Sequence, residues 1–400
     1  MTAVTENCIN SIMTQIASKY KFTNWQYSRD KFECIAQNYF GILIPVVLTG
    51  YRAEKYIEIP IVLKLAPTNE KSRVSGAVTA MFAREIYIYT SIFEIYQEMQ
   101  QSCAFTSKLV IPKCYLVCKE FCKEFIALEN MCTQGYKPFT TGFFLNLEHI
   151  IVSLKTLARF HAFSFILKET NKNTYDEITK VCIPLTEKSN KRYIDIMIDR
   201  LSKALDKFKE TEYVPLLQTL KDNCVTYFQE AIDLVKGKCI CHGDIWKENI
   251  LFKYEGNVPV NACLIDYQTS RESSPAVDTL YLIISSTDTE LRQKHFHKLL
   301  DTYFQTFDQM LSEATLITDK VYSREMFNND LKIVWPACLI TANTALWLSS
   351  GLQQEGHVRS KLVWNTSEEM ERAVNNYKNK IKSIINDFCS YGFLNLETVK

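Results

Sequence analysis

Glycine and proline are scarce in this chain, 11 and 10 of 400 residues. That scarcity excludes collagen-like segments and Pro/Gly-rich linkers. Charge of one sign is also lacking. The formal net charge is +1 at pH 7, so no basic field of the kind that holds nucleic acid covers the molecule. The first twenty residues contain no basic segment followed by an apolar run, so no secretory signal is read there. The 14 cysteines are therefore expected to stay reduced in a cytoplasmic protein. The most lipid-like stretch, Ile333 to Leu352, is interrupted by Pro336 and Asn343. It is expected to form a buried helix, with no membrane span. GxGxxG is absent too, which removes a dinucleotide-type βαβ opening.

What is present describes two unequal halves. A helix and a turn open the chain. Strand-like runs follow at "ILIPVVLT" and "YIEIPIVLKLAP", then one long helix from Ser75 to Met99, then strands at "KCYLVCKE" and "EFIALENM". From about Leu145 the pattern turns helical, with stripes over Leu147–Ile166, Arg192–Phe208 and Leu216–Val235. One hairpin interrupts it, "ILFKY" and "VNACLID" around Glu255-Gly256-Asn257, and everything past Pro275 reads as helix. The organisation implied is a small mixed lobe over residues 1–128 and a large helical lobe over 129–400, with no internal repeat.

Two charges break the apolar pattern of the small lobe. Lys64 interrupts "IPIVLKLA", and taken alone it reads as an edge-strand lysine whose head snorkels to water. Glu85 lies four residues after Met81 and four before Tyr89, on the core-facing stripe of its helix. An unpaired carboxylate there would cost a few kcal/mol. Together they match the ion pair of kinase-type small lobes, in which a helix glutamate holds a strand lysine against the nucleotide's α- and β-phosphates.

"CHGDIWKENILF" supplies the rest of such a site. Phosphoryl transfer needs a positioned hydroxyl, a carboxylate to take its proton, and metal ions to neutralise phosphate charge. Asp244 and Asn249 are five apart, and a loop of that length can bring both to one centre. Asp244 is the candidate base, and Asn249 offers an amide oxygen to Mg²⁺. The hairpin then ends at Asp266, placed as a second metal ligand. His242 reads as a buttress of the loop. The order Lys64, Glu85, Asp244, Asn249, Asp266 gives the fold class: α+β, bilobal and protein-kinase-like, with the catalytic loop and metal-binding hairpin over 239–266.

The neighbouring thiols admit another reading. Cys239 and Cys241 fall on one face of a short strand, and with His242 nearby they resemble half of a metal site. A structural zinc needs four ligands, and no second compact Cys/His pair appears. Small buried side chains are the default for free cysteines.

"CHGDIWKENILF" followed by "LIDYQTSRESSPAVDTLYLI" resembles the ecdysteroid kinase-like (CHK kinase-like) proteins of arthropods, within the choline kinase and aminoglycoside phosphotransferase superfamily. "FAREIYIY", "PKCY", "ALENM" and "LARFHA" look like further landmarks of that family, and the likeness runs nearly end to end. The resemblance implies ATP- and Mg²⁺-dependent phosphorylation of a hydroxyl on an ecdysteroid or a foreign alcohol or phenol, by a monomer. It implies Asp244 as the catalytic residue, Asn249 and Asp266 as metal ligands, and Lys64 with Glu85 as the phosphate-contacting pair. Leu128, Glu129 and Met131 would line the adenine pocket. The phosphate-covering loop is expected near "IAQNYFGILIP", where Gly41 stands alone after the bulky Phe40. His161, on an apolar helix face, reads as a core histidine, and Asp278 as a helix cap or a brace for the loop.

Three functions compete with that reading. A ligand- or nucleotide-binding protein that keeps the fold without catalysis is raised by the glycine-poor loop. Choline or ethanolamine kinase would need an acidic, aromatic cage, and no acidic cluster is evident near the hairpin. A protein kinase fits least, since HRD and APE segments and an activation stretch between Asp266 and Pro275 are absent.

Overall fold

The computed structural model describes residues 3–31, 41–70, 73, 77–352, 364 and 366–398. Residues 35–40 of the expected phosphate-covering loop lie outside them, whereas Gly41 is described.

The small lobe is a five-stranded antiparallel sheet. After helix α1 (Ala3–Lys19) come β1 (Thr23–Arg29), β2 (Ile42–Arg52), β3 (Lys55–Leu65), β4 (Cys114–Cys118) and β5 (Phe125–Glu129), in the order β1-β2-β3-β5-β4. β2 and β3 form a tight hairpin. Its two central residues, Ala53 and Glu54, take φ of 47° and 64°, the twist that a two-residue turn needs. Alternation sorts the two faces. Ile44, Val46 and Leu48 of β2 and Ile61 and Leu63 of β3 pack under Ile9, Met13 and Ile16 of α1. Lys64 is thereby turned to the opposite face. It is no edge residue, because β3 lies between β2 and β5 and Lys64 pairs with both Leu43 and Ile126. β1 carries little sequence signal, since only Trp25 and Tyr27 of its seven residues are even half-buried.

The expected long helix is not continuous. α2 (Val78–Tyr87) and α3 (Phe93–Ser102) are joined by one π-helical stretch, Ile88–Ile92. The wider turn lets Ile88, Tyr89, Ile92 and Phe93 all stay buried. Such bulges recur at functional sites, and this one directly follows the helix that carries Glu85.

The large lobe is built on α4 (Leu147–Thr170), against which α10 packs. Its other helices are α5 (Lys172–Thr179), α6 (Glu187–Lys207), α7 (Val214–Asp222), α8 (Cys224–Asp233), α9 (Pro275–Ser286), α10 (Thr289–Glu313), α11 (Thr318–Val321), α12 (Arg324–Ser349) and α13 (Ser367–Ser390). The stripe read as one helix from Leu216 to Val235 breaks at Asn223 into α7 and α8. Among short strands, β7 (Cys239–Cys241) pairs with β10 (Arg271–Ser273), and β6 (Tyr136–Pro138) joins the hairpin of β8 (Ile250–Glu255) and β9 (Val258–Leu264). Strands of three residues, such as β6 and β10, are too short for periodicity to reveal. Among the described residues two helices, α4 and α12, are long and apolar enough to cross a membrane, but 78% and 72% of their apolar windows are buried inside the protein. The stretch Ile333–Leu352 thus serves as core.

Candidate active site

Lys64 is the hub between the lobes. Its ammonium lies 2.5 Å from Glu85 Oε2 and 2.8 Å from Asp266 Oδ1. Burial pulls the ammonium pKa down, but Asp266 and Glu85 outweigh it and hold the group above the ordinary lysine value. Burial drives the Glu85 carboxyl up to about 7, while Lys64 and the backbone N–H of Tyr267 oppose that rise. Sequence reasoning placed Lys64 with Glu85 and assigned Asp266 to metal; the structure adds a direct Lys64–Asp266 contact. Asp266 itself adopts φ +67°, a conformation rare outside glycine. The next residue, Tyr267, is buried among Phe93 and Phe160 and meets the His242 ring in a tilted contact, 4.6 Å between centroids. The tyrosine of "DYQ" therefore packs the helix region of the small lobe against the loop of the large one.

The loop after β7 is held by one carboxylate. Asp278, in the first turn of α9, accepts the backbone N–H of His242 at 2.6 Å and of Gly243 at 3.0 Å. It caps nothing, and the brace expected as one alternative is what the structure holds. Gly243 has φ +84°, and a Cβ there would lie 2.3 Å from both the Arg271 guanidinium and the Thr269 carbonyl oxygen. Arg271 uses that space to donate to the Gly243 and Thr269 carbonyls. His242 is fully buried and its Nε2 lies 2.9 Å from the Ile265 carbonyl, so it is a buttress.

Asp244 follows on the open side of this frame. Burial, with Asp266 adding to it, raises its carboxyl from 3.8 to about 6. The Tyr281 hydroxyl donates to Oδ1 at 3.2 Å and, with Arg271, works the other way. Tyr281 and Arg271 were missed in the sequence: Tyr281 sits in an apolar run of α9, and Arg271 has no local pattern around it.

Asn249 ends a short 3-10 turn, Lys247–Asn249. Its Nδ2 donates to the Asp244 carbonyl at 2.8 Å, and its own carbonyl accepts the Ile265 N–H at 3.0 Å. The amide is thus oriented by the loop, with Oδ1 left over, and its backbone is tied to the residue before Asp266. Hard oxygen donors in this combination suit Mg²⁺.

The residues expected to face a nucleotide are Gly41, Leu128, Glu129 and Met131, beside Lys64 and Glu85. A Cβ on Gly41 would come within 3.3 Å of Lys64 Cγ, so the backbone passes directly over the lysine stem. Leu128 pairs with Val62 on β3. Met131 packs with Leu251 and Cys263 of the hairpin. Glu129 is committed elsewhere: its carboxylate accepts the Lys113 N–H at 3.2 Å and the Gln134 amide at 3.3 Å.

The thiol cluster has a third member. His161, Cys239 and Cys241 place their ligand atoms within 4.8 Å of one another, all buried. His161 lies 78 residues upstream of Cys239, so spacing could not reveal it. Both imidazole nitrogens are already engaged, by the Tyr303 hydroxyl at 2.8 Å and Asp278 Oδ2 at 3.2 Å. Burial pushes the Cys241 thiol well above its ordinary value. Three ligand atoms, neutral thiols and an occupied imidazole describe packing beneath the loop.

A sheet lobe carrying an ion-paired lysine, set against a helical lobe with an acidic loop and hairpin, is the bilobal kinase-like architecture. The chain belongs to the ecdysteroid kinase-like family, whose model matches residues 36–316. That membership supports a small-molecule kinase. Comparison with curated protein sequences gives no match. Among solved structures, the chain is similar to the GDP and kanamycin complex of APH(2")-IIia, at 15% identity, 92% of this chain, 99% of that chain and TM-score 0.41. It is also similar to choline kinase LicA from Streptococcus pneumoniae, at 11% identity, 94% of this chain, 99% of that one and TM-score 0.36. A glucosamine kinase matches at 10% identity, 84% and 82% coverage and TM-score 0.33.

Proposed function

We propose that the protein is an ATP-dependent kinase that phosphorylates a hydroxyl of a small molecule, an ecdysteroid or a foreign alcohol or phenol. The observation that carries the reading is the meeting of the Lys64–Glu85–Asp266 ion pairs with Asp244 and Asn249 across the two lobes. Asp244 orients the acceptor hydroxyl and takes its proton as the new O–P bond forms and the bond to the β-phosphate oxygen breaks, releasing ADP. A carboxyl near pKa 6 is ionised at neutral pH and still basic enough for that task. Lys64, steadied by Glu85, contacts the α- and β-phosphates. Asn249 and Asp266 hold Mg²⁺, which neutralises phosphate charge. Gly41 lies beside the phosphates, Leu128 and Met131 against the adenine, and Glu129 fixes the turn between lobes. We place the protein in the cytoplasm as a monomer, in keeping with the free state of the cysteines among the described residues.

The test is a screen for ATP-dependent phosphorylation of steroids, phenols and amino alcohols, run beside Asp244→Asn. A phosphorylated product made by the wild type and lost in the variant supports the reading. Absence of product from every acceptor, with no calorimetric binding of ATP–Mg²⁺, favours a ligand-binding protein that has kept the fold.

A further inference from the structure

The geometry points to an acceptor that carries an anionic group besides its hydroxyl, with the anion held by Lys380 and Arg372 in a cavity walled by the Phe143 ring, which Lys247 of the catalytic loop also faces. This inference rests on the kinase reading above. A cavity of about 410 Å³ lies between the C-terminal end of α12 and one face of α13, with Phe143 on its wall. Glu369, Arg372, Asn376 and Lys380 line it from successive turns of α13. The size suits a small organic ligand. These residues lie beyond the span matched by the family model, which ends at residue 316.

One ring joins this cavity to the loop that holds Asp244. Lys247 stands three positions after Asp244, and its N–H donates to Ser286 Oγ at 3.0 Å. Its ammonium lies 5.7 Å from the centre of the Phe143 ring. Lys380 covers the same ring, at 3.1 Å from its centre.

Among the described residues the charges do not balance. Lys247 is paired with Glu248. Lys380 has no carboxylate partner among the described residues; its polar contact is the Ser350 hydroxyl at 3.4 Å. Burial, with Lys247 adding to it, pulls the Lys380 ammonium down to about 8. Arg372 likewise makes no ion pair among the described residues, and Glu369, itself engaged, is the one carboxylate among the described residues of this wall. A partly buried ammonium beside a second cation is costly, and stacking on a ring offsets only part of that cost. A carboxylate, sulfate or phosphate on the acceptor neutralises it through charge-assisted hydrogen bonds. A neutral polyhydroxylated steroid leaves it unmet.

The test pairs hydroxy acids with their own amides, for example 4-(hydroxymethyl)benzoate with 4-(hydroxymethyl)benzamide, and adds a neutral ecdysteroid. ADP release and phosphorylated product are measured for each. The acids should exceed their amides in kcat/KM by about tenfold, the worth of one charge-assisted contact. Lys380→Met and Arg372→Gln should each shrink that ratio, chiefly through the KM of the acid. Amides or the ecdysteroid used as well as the acids, or a ratio unchanged in both variants, would overturn the inference. Phosphorylation of neutral acceptors alone sinks this inference and leaves the kinase reading standing. No product from either kind, with no nucleotide bound, sinks both.

Discussion

Lys64 Nζ lies 2.8 Å from Asp266 Oδ1, 202 positions further along the chain. The same ammonium holds Glu85 at 2.5 Å, so one cation joins the sheet, the helix region of the small lobe and the hairpin of the large lobe. Lys64→Met leaves two carboxylates without their counter-charge, and removing one partner of a buried pair costs about 3 kcal/mol. The urea midpoint should fall accordingly and ATP binding should be lost. Adding Glu85→Gln to Lys64→Met should restore much of the midpoint and none of the ATP binding. A double variant no more stable than the single one would show that the pair is not coupled.

Legibility followed whether a residue broke a local pattern. Lys64 and Glu85 stood out because they are charges on apolar stripes, and their 2.5 Å contact fits that reading. Asp244, Asn249 and Asp266 were spaced by a loop and a hairpin, both local. Tyr281 could not stand out: it is a large side chain in an apolar helix, and its contact with Asp244 depends on how α9 returns to the loop. Asp278 was open between cap and brace, because only the packed structure shows both its oxygens turned to the His242 and Gly243 N–H groups. β1 and the π-helical turn were hidden for similar reasons. One strand buries too little to pattern, and the turn changes hydrogen bonding without changing which residues are apolar.

Asp278→Asn replaces one acceptor with an NH₂ group facing a backbone N–H. Two donors then meet in a buried site, at a cost of about 1–3 kcal/mol. Asp278 does not touch the reacting atoms; it positions the loop. Turnover should therefore fall by about a hundredfold while the KM for ATP stays near wild type, because misplacement of the base acts on the chemical step. Steady-state kinetics with ATP varied check this. Equal loss in both parameters would mean that the nucleotide site has collapsed instead.

Asp244 is expected to lower stability at neutral pH. A carboxyl whose pKa is higher folded than unfolded favours the native state below its unfolded value, and that favour is lost as pH rises through the folded value. The window runs from 3.8 to about 6. Asp244→Asn has no such dependence. Its unfolding free energy should match the wild type below pH 4 and exceed it above pH 6, by on the order of 2 kcal/mol after allowance for solvent at its partly exposed oxygens. Scanning calorimetry across that window reads the difference. A constant offset would place its origin outside the ionisation of Asp244.

Tyr281→Phe isolates the hydrogen bond to Asp244 with little change in shape. Burial is the chief cause of the raised carboxyl, and the tyrosine hydroxyl is the largest influence opposing it. Without that donor the anion is less stabilised, so the pKa rises further. The acidic limb of the kcat/KM profile should move upward by about half a pH unit, the worth of one modest hydrogen bond. Above pH 8, where the carboxyl is ionised in both proteins, the rates should converge. The charge of Asp278 also raises Asp244. Asp278→Asn should therefore move the limb the other way, even as it lowers turnover. Two variants that shift the limb in opposite directions would tie it to Asp244. A limb that stays fixed in both would assign it to another group.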